Sequence, residues 1–291
     1  MNKENKPLIF ITNDDGYCSK GISVLIKLMK QLGDVVVVAP KTEMSGKSHS
    51  ITVNSPLRLK QIEQSQGFEL YALDGTPVDC VKMAFNRILK TRKCDLVVSG
   101  INHGSNASIN TIYSGTMAAV FEGCAERVPS VGFSLDSSDK DADFSHCEKY
   151  IISICKDVLA NSLAEGVCLN VNFPTGKIKG TKVCHQAKAY WNEELFEYKD
   201  PINQPFYWLS GVYNCLDKSP EADFRALEQG YASIVPMQVD FTAYSELNKM
   251  RERFENVEER YSDFRNGRCN SFDPFDNRAV VADIVLFEYV D

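Results

Sequence analysis

The uncharged run Leu8-Ile9-Phe10-Ile11-Thr12 ends abruptly in Asn13-Asp14-Asp15-Gly16, and this junction constrains the fold more than any other feature of the chain. Leu8 to Asn13 has the length and character of a buried strand. Ile22, Leu25, Ile26, Met29 and Leu32 then share one face at helical spacing, with Gly33 placed to close the helix. Val35 to Ala39 is a second β-branched run, stopped by Pro40. A β-α-β opening of this kind predicts a parallel crossover, and so an α/β fold built on a mostly parallel sheet flanked by helices.

In such folds, chemistry gathers beyond the C-terminal ends of the strands, which is where Asp14 and Asp15 stand. Two carboxylates about 4 Å apart repel by roughly 4 kcal/mol at an effective dielectric near 20. A divalent cation would remove that repulsion. The plainer alternative has Asp14 capping the following helix and Asp15 exposed.

The remaining elements extend the same plan. Strands are expected at Asp95 to Ser99, Val128 to Leu135, Val167 to Asn172 and Ala232 to Val239. One helix opens at Thr76-Pro77-Val78-Asp79, where threonine, proline and aspartate suit the cap, the first turn and a returning bond. A second starts near Ser114-Gly115-Thr116, and a third at a capping box from Ser145 to Glu148. Residues 176 to 222 lack a period, which suits long loops or a protruding hairpin, while Leu247, Met250, Phe254 and Val257 return at helical spacing. Residues 1–175 are thus read as the α/β core and residues 176–291 as its continuation, with hairpin, late strands and a C-terminal extension.

Composition narrows the function. With 32 basic and 39 acidic side chains the net charge is −7, which offers no footprint for a nucleic-acid polymer. No apolar run approaches membrane-spanning length, so no membrane is expected as a partner. Ten scattered cysteines with no CxxC pair suggest reduced thiols and a cytoplasmic protein. A zinc site is not expected, because the four histidines show no HxxxH spacing.

Three strand-end loops should meet at one sheet edge. They are Asn13 to Gly16, the stretch Glu43-Met44-Ser45-Gly46-Lys47-Ser48-His49-Ser50, and Gly100-Ile101-Asn102-His103-Gly104-Ser105-Asn106. Oxygens from Asp14, Asp15, Ser45 and Asn102 would make a hard site for one divalent cation, Mg²⁺, Mn²⁺ or Ca²⁺. The Ser114-Gly115-Thr116 turn is a candidate anion seat at a helix N-terminus, or simply an ordinary cap. Carboxylates, an amide, hydroxyls and a helix N-terminus at one edge are what metal-assisted phosphoryl transfer requires.

These stretches also carry a resemblance. Thr12-Asn13-Asp14-Asp15-Gly16, Ser45-Gly46, Asp74-Gly75-Thr76-Pro77-Val78-Asp79-Cys80, Ser99 to Asn106 and Tyr113-Ser114-Gly115-Thr116 resemble, in order, the signature blocks of the SurE family of survival proteins. A later echo runs from Gly230-Tyr231 to Val239-Asp240-Phe241-Thr242. The resemblance implies a Rossmann-like fold with a projecting β-hairpin and a C-terminal exchange joining subunits into a homodimer or homotetramer. It implies a 5′-nucleotidase, a phosphomonoesterase that hydrolyses nucleoside monophosphates.

By the same resemblance Asp14, Asp15, Ser45 and Asn102 ligate the metal, while Gly104, Asn106, Ser114, Gly115 and Thr116 bind phosphate. The expected catalytic residues are Asp15, Asp14 and Asn106, with Asp15 or a metal-bound water expected to start the attack. One departure matters: Tyr244 stands four residues beyond Asp240, where many members carry histidine. It motivates the alternative of a nucleotide-binding regulatory protein with little or no turnover. A dinucleotide-dependent oxidoreductase is excluded because no GxGxxG turn follows the first strand, and a DxDxT phosphatase is excluded by spelling.

Other single residues have plainer readings. His103 and His49 are candidates to touch substrate or simply loop histidines, and His146 and His185 are expected to be structural. Lys47 either meets phosphate or is solvated. Tyr190, Trp191, Phe206 and Trp208 could wall a base, but hairpin packing or subunit contact is the favoured expectation.

Overall fold

A computed structural model describes residues 6–255. The chain divides into two compact units, Met1–Asp240 and Phe241–Asp291. The first unit holds thirteen described strands. They are β1 (Leu8–Thr12), β2 (Asp34–Pro40), β3 (Leu59–Ser65), β4 (Phe68–Leu73), β5 (Leu96–His103), β6 (Ser130–Leu135) and β7 (Val167–Phe173), followed by β8 (Thr181–Val183), β9 (Ala189–Asn192), β10 (Leu195–Lys199), β11 (Pro205–Leu209), β12 (Val212–Cys215) and β13 (Ala232–Gln238). Its helices are α1 (Lys20–Met29), α2 (Pro77–Met83), α3 (Gly115–Ala125), α4 (Glu148–Asn161) and α5 (Asp223–Glu228).

Nine strands form one sheet in the order β3-β4-β2-β1-β5-β6-β7-β13-β8. The six strands from β4 to β7 run parallel, while β3 and β13 are antiparallel to their neighbours β4 and β7. The expected mostly parallel α/β sheet is therefore present. Because β1 pairs β2 on one side and β5 on the other, the order reverses at β1, which opens a crevice beyond its C-terminal end.

Strand periodicity sorts the core into two faces. Ile9 and Ile11 of β1 and Val35 and Val37 of β2 join Ile22 and Leu25 of α1 and Ile151 and Val158 of α4. Phe10, Val36 and Val38 turn the other way, against Cys80 and Val81 of α2. All of these side chains are essentially sealed from solvent. At about 1.5–3 kcal/mol for each fully buried Val, Leu, Ile or Phe, this packing holds the site's scaffold rigid.

Several local expectations need correction. Strands β3 and β4 go beyond the sequence expectations, since β3 is an edge strand whose Lys60, Gln61, Glu63 and Gln64 give no apolar signal. Gly33 does not end the first helix by a left-handed turn. Helix α1 stops at Met29, and a Cβ on Gly33 would fall 2.1 Å from the Pro7 carbonyl oxygen, so close backbone approach explains the glycine. The capping box at Ser145 does not form: α4 starts at Glu148 after Cys147, and Ser145 Oγ donates instead to Asp143 at 2.7 Å. The box at Thr76 does form, with Pro77 in the first turn and reciprocal bonds between Thr76 and Asp79.

The segment without a period is a long antiparallel arm. β9 pairs with β12, and β10 with β11, through a turn in which Asp200 and Asn203 close on each other. Leu195, Tyr198, Tyr207, Trp208 and Leu209 are exposed along it. In the second unit, Tyr244–Glu246 forms a 3-10 turn and Leu247–Phe254 forms α6. Val257, and most of the C-terminal extension expected to exchange between subunits, lie outside the described residues.

Candidate active site

The crevice at the end of β1 is a cavity of about 480 Å³. Asp14, Asn102, His103, Asn106 and Ser114 form its inner wall, with Ser45 and Gly46 at the side. Four separate parts of the chain therefore meet at the predicted edge.

Asp14 is buried, and it does not cap α1, whose N-cap is Ser19. Its Oδ1 accepts the Thr116 hydroxyl from the first turn of α3. A Cβ on Gly115 would lie 2.8 Å from the Asp14 Cβ, so glycine is required there for the carboxylate to seat against the helix. Burial pushes the Asp14 carboxyl up to about 6; the Thr116 hydroxyl works against that rise and the nearby Asp15 charge adds to it.

Asp15 faces His103. Its Oδ2 lies 3.0 Å from His103 Nδ1 and accepts the His103 backbone N–H at 3.3 Å. The His103 ring stands edge-on to Phe144 at 5.1 Å, and its Nε2 is buried with no hydrogen-bond partner among the described residues. Orienting a carboxylate through a histidine in this way is what supporting groups around metal ligands do.

Asn102 and His103 are not in a loop, as expected, but in β5. A register shift between Ser99 and Asn102 lets the ladder resume, pairing Asn102 with Ser134 and His103 with Leu135. Asn102 Nδ2 donates to the Gly104 carbonyl at 2.8 Å, which leaves its Oδ1 for another partner. Ser45 donates to Glu43 Oε1 at 3.1 Å on the exposed side loop. That loop is held in place: Ser48 Oγ donates to the Ile112 carbonyl at 2.8 Å, and His49 Nε2 lies 3.1 Å from Glu122, which also pairs with Lys82. His49 thus anchors the loop to α3 and does not line the cavity, and Lys47 is exposed.

The predicted phosphate residues divide into two groups. Asn106 and Ser114 line the cavity, and Ser114 caps α3 by accepting the Met117 N–H at 3.0 Å. Gly104, Gly115 and Thr116 are not on its wall, and Thr116 is occupied with Asp14 from behind. Sequence reading missed the support under Asn106. Asn172 Oδ1 accepts the Asn106 N–H at 2.8 Å, Ser134 Oγ accepts from Asn106 Nδ2 at 2.8 Å, and Asn170 Nδ2 donates to the Asn106 carbonyl at 2.9 Å. Asn170 and Asn172 alternate with Val171 and Phe173 along a buried strand, a pattern that could have signalled a polar network.

Outside the site, His146 meets the Pro174 carbonyl at 3.3 Å and His185 meets Asp217 at 2.9 Å, both on this chain's own framework. The nine described cysteines are free thiols. Among the described residues no helix is long and apolar enough to cross a membrane.

The donor set fits a hard cation. On the cavity wall Asp14 offers the oxygen not taken by Thr116, Asn102 an amide oxygen and Ser45 a hydroxyl, while Asp15 is not on that wall and keeps, behind it, the oxygen not directed at His103. Among the described residues no lysine or arginine lies on the cavity wall to neutralise the carboxylates.

Residues 9–193 match the family model described as Survival protein SurE. A relative from Cytophaga hutchinsonii named 5′-nucleotidase SurE is 45% identical, the match covering 88% of this chain and 100% of that protein. Another of the same name from Christiangramia forsetii is 50% identical, covering 84% and 95%. The crystal structure of the Sure protein from Aquifex aeolicus matches with a TM-score of 0.74 at 37% identity, over 84% of this chain and 99% of that one.

Proposed function

The chain belongs to the SurE family, and from that premise we propose that it is a divalent-metal-dependent 5′-nucleotidase that hydrolyses nucleoside monophosphates to nucleoside and phosphate. The observation that carries the reading is the meeting of Asp14, Asn102 and Ser45 with the Ser114 end of α3 around one cavity. The activity for which the relatives are named supports it.

Phosphate monoesters are among the slowest substrates to react unaided, with enzymatic accelerations reaching about 10²¹-fold, so several effects must act together. Asp14, Asp15, Ser45 and Asn102 would hold one cation, Mg²⁺ or Mn²⁺, which supplies charge neutralisation at the phosphate. Asn106 and Ser114, on the cavity wall, donate to the remaining phosphoryl oxygens, aided by the positive end of α3. Asp15, whose carboxylate lies 3.0 Å from His103, would either attack phosphorus itself or take the proton of an attacking water, and in both cases the nucleoside oxygen leaves with a proton and water ends on the phosphate. The buried network of Asn170, Asn172 and Ser134 keeps Asn106 rigid, so that its alignment need not be formed during reaction.

The exposed apolar side chains of the arm support assembly of copies into a homodimer or homotetramer. The test of the activity is phosphate release from AMP with added Mn²⁺ or Mg²⁺. Release that stops with chelator and returns with metal is the expected result. Tight AMP binding without any release would favour the nucleotide-binding regulatory protein instead.

A further inference from the structure

The cavity has two chemically different ends. The inner end is the polar wall described above. The outer end is built by the arm, from Trp191, Glu194, Leu209, Ser210 and Gly211. A volume of about 480 Å³ lies within the range of sites that enclose whole organic ligands, far more than a phosphoryl group needs.

Trp191 is locked in place before any ligand arrives. Its Nε1 donates to Asn110 Oδ1 at 2.9 Å, and its ring meets Tyr213 edge-on at 5.4 Å. A Cβ on Gly211 would come 3.1 Å from Trp191 Cε3, so the backbone just before β12 packs directly against the ring. A fixed aromatic wall offers contact area with little ordering cost. Beside it stands the carboxylate of Glu194, which accepts hydrogen bonds and donates none. With Glu194 outside, Asp14 inside, and no lysine or arginine among the described residues of the wall, a second phosphate at the outer end would find no positive partner there.

We propose that the outer end is a nucleobase subsite in which Trp191 is the stacking surface and Glu194 accepts from N–H groups of the base. This deepens the nucleotidase reading and rests on it for the placement of phosphate at the inner end. It makes Trp191 and Glu194 specificity-determining residues and makes the base a main source of preference for nucleotides over sugar phosphates.

The test compares AMP with ribose 5-phosphate in the full chain with Mg²⁺, and adds a readout that needs no turnover. Base stacking on an aromatic side chain corresponds to about 5- to 150-fold, so kcat/KM for AMP should exceed that for ribose 5-phosphate by that order. Trp191→Ala should bring the ratio towards one, mainly through KM, while Trp191→Phe should keep most of it. Glu194→Gln, at an exposed position, should lower the ratio several-fold without loss of fold. In a Trp208→Phe protein, whose only tryptophan is Trp191, added adenosine should quench fluorescence and added ribose should not.

Equal turnover of both esters, with no quench by adenosine, would overturn the subsite while leaving a phosphatase. Quenching by adenosine with no phosphate release from either ester would uphold the subsite and remove the hydrolase. An AMP preference unchanged in both Trp191→Ala and Glu194→Gln would also overturn the proposal.

Discussion

The Thr116 hydroxyl donates to Oδ1 of Asp14 across 102 residues of sequence, tying the end of β1 to the first turn of α3. The bond satisfies one oxygen of a buried carboxylate and fixes where the other points. Thr116→Val keeps the shape and removes the donor. We expect a loss of about 1–3 kcal/mol in urea denaturation, the cost of leaving a buried polar group unsatisfied, together with weaker phosphate release.

Gly115 is the steric counterpart of that bond. Gly115→Ala places a Cβ 2.8 Å from the Asp14 Cβ, too close to be accommodated without moving the carboxylate. The expected outcome is retained helical circular dichroism with loss of most phosphate release. A fully active Gly115→Ala protein would show that the Asp14 position is not critical.

The network beneath Asn106 should matter for both stability and turnover. Asn172→Ala strips the acceptor from the Asn106 N–H and the donor from Asn170 Oδ1. A decrease of about 1–3 kcal/mol for each buried group left unpaired is expected, read from the urea midpoint. Turnover should fall in parallel as Asn106 loosens.

Glu122 supplies a pH signature away from the cavity. The His49 and Lys82 partners hold its carboxyl below the ordinary value of 4.5, against the opposing effect of burial. A lowered folded value means that the stabilisation is present above the unfolded value and disappears as pH falls through the folded one. The difference in urea midpoint between the native chain and Glu122→Gln should therefore be full near neutrality and shrink below about pH 4.5. Proteolysis within residues 43–50 should be faster in the variant at neutral pH.

The thiols should separate by burial. Cys18 is exposed, whereas burial pushes Cys94 up to about 11 and Cys147 up to about 12, and Cys155 higher still. Thiol labelling followed by peptide mapping should mark Cys18 first among the described cysteines, with Cys80, Cys94, Cys147, Cys155 and Cys168 labelled only after unfolding.

Much of this architecture was legible in the sequence because buried parallel strands and amphipathic helices write their periods plainly. Ile9, Phe10 and Ile11 announce β1, and Thr76-Pro77-Val78-Asp79 announces its helix start by local chemistry alone. β3 was silent because an edge strand of Lys60, Gln61, Glu63 and Gln64 reads like a loop. The placement of Asn102 in β5 was silent for a different reason, since it depends on a register shift opposite β6 that no local pattern encodes. At the site, residue types were readable while their partners were not. Thr116 stood out as a hydroxyl at a helix start, but only the folded chain turns it towards Asp14. Tyr190, Trp191, Phe206 and Trp208 read alike in the sequence, yet Trp191 joins the cavity and Trp208 faces solvent on the arm.

The proposed activity requires one cation held by oxygens that converge from distant parts of the chain, and equilibrium titration with Mn²⁺ tests that proposal directly. The native chain should bind one Mn²⁺ per subunit, and Asp14→Asn, of nearly the same shape, should bind it at least tenfold more weakly while remaining folded. Identical Mn²⁺ curves for the two proteins, or no binding to the native chain, would contradict it.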